Sequence, residues 1–111
     1  MQILLDACPH LDAEFDVHWV QRGGADPAAW IERYSTRCSQ VHFKDFTVLP
    51  GRKVGQPPVG DGNLNWERIV AACRKANTKY CLVEFDFPPE DPFPAFRRSL
   101  ENMLSWGLVA E

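Results

Sequence analysis

Polar and apolar positions alternate, or β-branched and aromatic residues cluster, in three short segments of the 111-residue chain. Both patterns predict β-strands, which we place at residues 14–18, 39–43 and 80–85. Alternation gives each strand one apolar face directed toward helices. The opposite, mostly polar face carries Asp16, His18, Gln40, His42, Lys44, Leu82, Glu84 and Asp86. Strands of a self-contained α/β domain are usually apolar on both faces, so this pattern predicts a binding site or the interior of a barrel.

A helix start follows each predicted strand. The pairs Asp26–Pro27 and Asp91–Pro92 each supply an N-cap carboxylate and a residue whose φ suits the first helical turn. Asn65 can cap an amphipathic helix over residues 66–76, and residues 2–7 resemble the end of a further helix. The order β-α-β-α-β-α predicts an α/β fold with parallel strands and right-handed crossovers, so the carboxyl ends of all three strands meet at one edge of the sheet.

The connection after the second predicted strand, residues 46–62, has about seventeen residues rich in Pro, Gly and basic side chains. Connections of this length in a compact domain are commonly binding loops or lids. A flexible linker is the alternative. Because the connection leaves the sheet at the edge where α/β proteins bind ligands, we expect a mobile lid.

Three potential metal ligands stand near the carboxyl ends of the predicted strands: Asp16, His42 and Glu84. One imidazole with two carboxylates suits a divalent ion such as Mn²⁺, Co²⁺, Mg²⁺ or Zn²⁺. Any one of these residues alone would be more typical of an ordinary core or surface position, but three equivalent positions favour a site.

Four further residues are candidates for substrate binding: His18, Trp19, Lys44 and Asp45. His18 and Trp19 can wall a pocket of sugar size. Asp45 can orient a metal-binding residue without binding the metal ion itself. A solvated strand end is the alternative for both Lys44 and Asp45. Trp66 can also line the pocket or pack under its own helix.

Composition and charge argue against several classes of function. Twelve basic against fifteen acidic residues give a formal charge of −3, which disfavours nucleic-acid binding. The apolar runs are far shorter than the roughly 20 residues that cross a bilayer, and we expect a single cytoplasmic domain over residues 1–111 with no membrane contact. The four cysteines form no C-x-x-C pair, so we expect buried, reduced thiols.

Five segments together resemble a known family: FDVHWVQRGGADPAAWIERY, QVHFKDF, PVGDGNLNWERIV, YCLVEFD and DPFPAFRRSLENML. They resemble the sugar phosphate isomerase/epimerase group of xylose isomerase-like (β/α)8 TIM barrels. The pattern at DVHW and VHFKD is closer to the inosose dehydratase-like branch. The order and spacing match the last three β-α units of such a barrel, so the resemblance implies the C-terminal part of a TIM barrel, a partial barrel.

The resemblance also implies roles for particular residues. Asp16, His42 and Glu84 would bind a divalent metal ion, and Glu84 would be the catalytic acid/base that abstracts a proton next to a carbonyl of a sugar or polyol substrate. The metal would polarise the substrate oxygens and stabilise an enediolate. The family's further metal-binding glutamate, from an earlier strand, has no counterpart in this sequence.

Two functions therefore stay open. The first is a metal-dependent isomerase, epimerase or dehydratase that is active only when another chain or a second copy completes the barrel. The second is a catalytically inactive barrel fragment that serves as an oligomeric binding or assembly module. An endonuclease IV-like role is disfavoured by the negative charge and by the lack of that group's additional metal-binding residues.

Overall fold

The central feature of the computed structural model, which describes residues 1–110, is a sheet of three parallel strands. In chain order the strands are β1 (Glu14–Asp16), β2 (Gln40–Phe43), β3 (Thr47–Leu49), β4 (Lys53–Gly55) and β5 (Tyr80–Val83). The helices are α1 (Gln2–Ala7), α2 (Val17–Arg22), α3 (Pro27–Arg33), α4 (Trp66–Ala76) and α5 (Phe93–Ser105). Short 3-10 turns occupy Ser35–Arg37 and Pro50–Arg52.

The sheet has the order β1-β2-β5, with β2 in the centre. The β-α alternation and the parallel pairing predicted from sequence are therefore confirmed. The hairpin β3–β4 is a separate antiparallel pair inside the long connection after β2, and sequence analysis did not predict it. Its Pro-Gly turn lets the chain reverse, because Gly51 adopts a positive φ of 75° that other residues rarely take.

Helix caps explain where three of the helices begin and end. The Asp26 side chain accepts hydrogen bonds from the backbone N–H groups of Ala28 and Ala29, at the start of α3. Asn65 caps α4 in the same way, and Asn77 ends α4 in the left-handed conformation. Asp91 accepts from the backbone N–H of Phe93, the first residue of α5. The predicted starts of α3 and α4 are confirmed. Helix α5 begins one residue later than predicted, because its N-cap is Pro92 and not Asp91.

The first strand is shorter than predicted. It ends at Asp16, whose side chain accepts a hydrogen bond from the backbone N–H of Trp19 (3.1 Å) and so caps the six-residue helix α2. The run of β-branched and aromatic residues after Asp16 had favoured a strand to residue 18. His18 therefore lies in the first turn of α2 and not on the polar face of β1.

The apolar core fills one side of the sheet. Phe15, Val41 and Phe43 are buried against α3 and α4, whose own buried residues include Ile31 and Ile69. The indole of Trp66 stacks on that of Trp106 with ring centroids 5.5 Å apart, which joins α4 to the end of α5. The opposite face of the sheet carries the acidic and basic side chains, as alternation predicted.

The outer strands β1 and β5 each have one unpaired edge among the described residues. On the face opposite the helices, Tyr80 and Leu82 of β5 are 49% and 40% exposed. Within residues 1–110, no helix has both the length and the apolar character that crossing a membrane requires.

Candidate metal centre

Asp16, His42 and Glu84 converge at the carboxyl edge of the sheet. One ligand atom from each lies within 4.8 Å of the others. His42 Nδ1 is 2.8 Å from Glu84 Oε2 and 4.0 Å from Asp16 Oδ2. Atoms bound to one ion at about 2.1 Å lie at most about 4.2 Å apart, so small side-chain adjustments bring all three onto one ion. The donor set and the spacing both fit a divalent metal ion.

Strand register explains this convergence. Asp16 pairs with His42 across β1 and β2, and His42 pairs with Leu82 across β2 and β5. Glu84 stands two residues beyond Leu82, so its side chain lies on the same face. Its backbone N–H donates to Phe43 O (3.3 Å), which continues the ladder past the end of β5. The parallel sheet therefore places the three side chains together.

The two carboxylate oxygens of Asp16 have different partners. Oδ1 accepts the capping hydrogen bond from Trp19, which fixes the carboxylate plane. Oδ2 faces the cluster and lies 2.8 Å from Lys44 Nζ. Oδ1 therefore holds the start of α2, and Oδ2 is the oxygen that a cation would share with the Lys44 ammonium.

Lys44 lies at the centre of the acidic cluster and is almost completely buried, with 1% of its side chain exposed. Its Nζ lies 2.8 Å from Asp16 Oδ2, 3.2 Å from Glu84 Oε2 and 2.8 Å from Asp86 Oδ1. Burial alone would lower the pKa of Lys44, but the hydrogen bonds to these carboxylates outweigh it and raise the pKa above its ordinary value. The ammonium group is therefore charged and holds the carboxylates in place.

Asp86 connects Lys44 to the long connection after β2. The hydrogen bond to Lys44 holds the pKa of Asp86 below its usual range, and Gln56 contributes in the same direction against a smaller effect of burial. Gln56 Nε2 donates to Asp86 Oδ2 (2.6 Å), and Gln56 Oε1 accepts from the backbone N–H of Asp86 (2.9 Å). Part of the connection thus lies at the carboxyl edge, where sequence analysis placed it; greater mobility of this segment stays a prediction.

Glu14 is a member of the cluster that sequence analysis missed. Its Oε1 lies 2.8 Å from His42 Nε2, on the opposite side of the imidazole from Glu84. The alternation that placed Asp16 on the polar face also applies to Glu14, two residues earlier, and could have identified it. Four carboxylates (Glu14, Asp16, Glu84 and Asp86) thus surround one lysine and one histidine, and this excess of negative charge favours a cation.

The Asp45 side chain is buried and directed into the connection that follows it. Its Oδ2 accepts from the backbone N–H groups of Gly60 (2.8 Å) and Gly62 (2.9 Å) and from the indole N–H of Trp66 (2.7 Å). Its Oδ1 accepts from the N–H of Phe46 (2.7 Å) and, at 3.4 Å, from that of Leu64. The structure therefore gives Asp45 a role in organising this loop, and direct contact with a substrate stays a prediction. Trp66 is a core residue, buried against the rings of Phe43 and Trp106.

His18 is completely buried in the first turn of α2. Its Nδ1 donates to the backbone carbonyl oxygen of Asp45 (2.8 Å), and its ring packs edge-on against Trp19 and Phe46. Among the described residues, His18 Nε2 is the buried side-chain nitrogen or oxygen that has no hydrogen-bond partner. Trp19 is 45% exposed. It lines a mainly apolar cavity of about 330 Å³ together with Trp30, beside the carboxylates of Glu14 and Asp16.

Solved structures, but no family model or curated protein, match this chain. Among solved structures, a sugar phosphate isomerase/epimerase from Parabacteroides distasonis superimposes with a TM-score of 0.66 and 25% identity, over 81% of this chain and 29% of that one. The chain resembles sugar phosphate isomerases/epimerases and xylose isomerase-like proteins.

Two further structures share the fold of these sugar phosphate isomerase/epimerase-like proteins. A xylose isomerase domain protein from Planctomyces limnophilus gives a TM-score of 0.69 at 16% identity, over 96% of this chain and 42% of that chain. The probable 3-DHS dehydratase AsbF from Bacillus anthracis, involved in petrobactin synthesis, gives 0.73 at 18% identity, over 94% of this chain and 42% of that chain. The chain thus spans less than half the length of each of these structures.

Proposed function

We propose that this chain forms the metal-binding part of a xylose isomerase-like barrel that isomerises, epimerises or dehydrates a sugar, sugar phosphate or polyol. The observation that carries the proposal is the convergence of Asp16, His42 and Glu84 at the carboxyl edge of a parallel sheet. This is the edge at which (β/α)8 barrels have their active sites. The likeness to a sugar phosphate isomerase/epimerase at 25% identity supports the substrate class.

Glu84 is the acid/base in this proposal. A divalent ion, which we take to be Mn²⁺, Co²⁺, Mg²⁺ or Zn²⁺, supplies Lewis-acid polarisation of the substrate oxygens when bound. Glu84 accepts the proton from the carbon next to the substrate carbonyl, and the Lys44 ammonium holds its Oε2 at 3.2 Å. A carboxylate fixed in this way loses little orientational freedom as the proton moves.

The proposed substrate contacts surround this centre. The exposed face of Trp19 stacks on the C–H groups of a sugar ring, and the buried Lys44 acts on the substrate through the carboxylates that its ammonium group orders. His18 and Asp45 support this centre indirectly, through the hydrogen bond between the His18 ring and the Asp45 carbonyl group. We further propose that the remaining barrel strands, with a second group for proton transfer, come from further polypeptide or a second copy of the chain.

Metal binding to the purified chain tests the proposal. At a Mn²⁺ concentration 100 times Kd, a single site adds about 2.7 kcal/mol to the free energy of unfolding, which a thermal melt resolves readily. We expect Glu84→Gln to abolish most of this increase, because it replaces a carboxylate ligand with an amide. Glu90→Gln, an exposed position outside the cluster, serves as the charge-matched control and should leave it unchanged. A wild-type chain that shows no response to Mn²⁺, Co²⁺, Mg²⁺ or Zn²⁺ contradicts the proposal.

An inactive assembly module is the second candidate. The observation that favours it is the exposure of Tyr80 and Leu82 on the face of β5 opposite the helices, beside an unpaired strand edge. Burial of this face against a second copy removes apolar surface from water and pairs the open edge. A chain that self-associates but does not respond to metal fits this function and not the first.

A further inference from the structure

We propose that Glu14 is a positioning residue that holds the His42 imidazole with its proton on Nε2, so that the Nδ1 lone pair faces Asp16 and Glu84. The inference rests on the proposed function, because it concerns how His42 is prepared to bind a metal ion. It starts from one contact. Glu14 Oε1 lies 2.8 Å from His42 Nε2, within hydrogen-bond distance.

The two nitrogens of the His42 ring face different surroundings. Nδ1 is directed toward the two proposed ligand carboxylates, at 2.8 Å from Glu84 and 4.0 Å from Asp16. Nε2 is directed away from them, toward Glu14. Only a nitrogen without a proton can bind a metal ion, so the ring must carry its proton on Nε2 if Nδ1 is the ligand.

Glu84 and Glu14 each lie 2.8 Å from one nitrogen of the ring, so both compete for its proton. Glu84 Oε2 already accepts from the Lys44 ammonium at 3.2 Å, which makes it the weaker acceptor. The Glu14 carboxylate therefore favours the tautomer with the proton on Nε2. An ionised carboxylate accepts hydrogen bonds and donates none, so a neutral ring keeps this contact only with its proton on Nε2. Metal-binding histidines commonly donate their second ring N–H to a carboxylate, which also fixes the ring orientation. Glu14 is placed for this role by register, because it pairs with Gln40, two residues before His42 on the same face of β2.

Stability does not explain the contact. The Glu14 and His42 side chains are 43% and 31% exposed, and ion pairs this open to water contribute little to folding. Lys44 already orders Asp16 and Glu84 from the other side of the cluster. Glu14 therefore has the remaining task, which is to orient the imidazole.

The test compares Glu14→Ala with Glu14→Gln in the full chain, with Glu90→Ala as a control for loss of one exposed negative charge. We expect Glu14→Ala to weaken Mn²⁺ binding about 10- to 100-fold, the usual effect of removing the partner of a metal-binding histidine. Glu14→Gln should stay within a few-fold of wild type, because its amide oxygen still accepts from Nε2–H. The melting temperature of all variants without metal should match wild type.

A second measurement does not depend on metal binding. Proton–nitrogen correlation spectra of the metal-free chain at alkaline pH, with His42 assigned by its absence in His42→Asn, should show an Nε2–H proton protected from exchange. Glu14→Ala should lose that protection and Glu14→Gln should retain it. If wild type binds no metal, the proposed function fails, and this measurement alone decides the role of Glu14.

Three results would overturn the inference. Equal weakening of Mn²⁺ binding in Glu14→Ala and Glu14→Gln would mean that only the negative charge matters. Unchanged binding in both would mean that Glu14 is an ordinary surface ion pair. An unchanged Nε2–H resonance in Glu14→Ala would mean that other groups select the tautomer.

Discussion

Replacement of Asp45 with asparagine should destabilise the chain strongly, although the two side chains have nearly the same shape. The carboxylate accepts from the N–H groups of Phe46, Gly60, Gly62 and Leu64 and from the indole of Trp66. An amide has one acceptor oxygen, and its NH₂ group would point its own protons at the remaining donors.

The structure sets the size of this effect. With the amide oxygen in the position of Oδ2, three donors keep their acceptor, and those of Phe46 and Leu64 lose it. The opposite orientation leaves three donors without an acceptor, so it is worse. Each buried donor left unpaired costs about 1–3 kcal/mol, which gives a loss of about 2–6 kcal/mol for Asp45→Asn. Small domains have only about 5–15 kcal/mol in total, so the loss is a large fraction of the stability.

Urea unfolding of the purified chain, followed by far-UV circular dichroism, measures this loss. Asp12→Asn is the matched control, because Asp12 is exposed, and its effect should stay within about 0.5 kcal/mol. A second variant, Gly62→Ala, tests the same contact from the loop side. A β-carbon at Gly62 would overlap Asp45 Oδ1 and the Phe46 carbonyl oxygen, so this variant should also be destabilised. If Asp45→Asn loses no more stability than Asp12→Asn, the carboxylate does not organise the loop and our reasoning fails.

Two further predictions concern thiols and assembly. In the native chain at pH 8, a thiol-specific reagent should label the exposed Cys8 fast and the buried Cys38 and Cys73 only on unfolding. Burial raises the pKa of Cys38 to about 11, and a hydrogen bond with Cys81 together with burial raises the pKa of Cys73. Fast labelling of all four thiols would contradict the buried core. Light scattering at micromolar concentration should give a mass above that of one chain, because the edges of β1 and β5 are open; a monodisperse mass near 12.6 kDa with a cooperative melt would refute this.

Sequence patterns predicted the parts of the fold that depend on local chemistry. Asp26 and Asn65 are good N-caps in any context, and the structure confirms both. Helix α2 was missed because Phe15 and Val17 are typical strand residues and extended the predicted strand to His18, whereas the cap supplied by Asp16 favours a helix. The hairpin was missed because strands of three residues give too short a pattern for alternation to identify.

The candidate site was only partly predictable from the sequence, because some of its contacts join residues that are distant along the chain. Alternation and parallel pairing were enough to group Asp16, His42 and Glu84, because both depend on strand period alone. The burial of Lys44 depends on three carboxylates from two other segments, so its sequence position at a strand end left only substrate binding or a solvated strand end as interpretations. The partners of Asp45 are mostly backbone groups of a distant loop, which no side-chain pattern reveals.

The separation of the three proposed ligands along the chain has a consequence for the order of folding. The hairpin β3–β4 joins neighbouring residues and belongs to the class of structures that form in about 1–10 μs. The parallel pairs β1–β2 and β2–β5 instead require long crossovers to close before any ladder bond forms, which makes them slow. Each proposed ligand belongs to a different segment of the sheet. A chain that has formed its helices and its hairpin but not its sheet therefore has no two of the three ligands side by side. A metal ion bound by all three residues would therefore stabilise only the chain with a complete sheet and shift the last step of folding toward it.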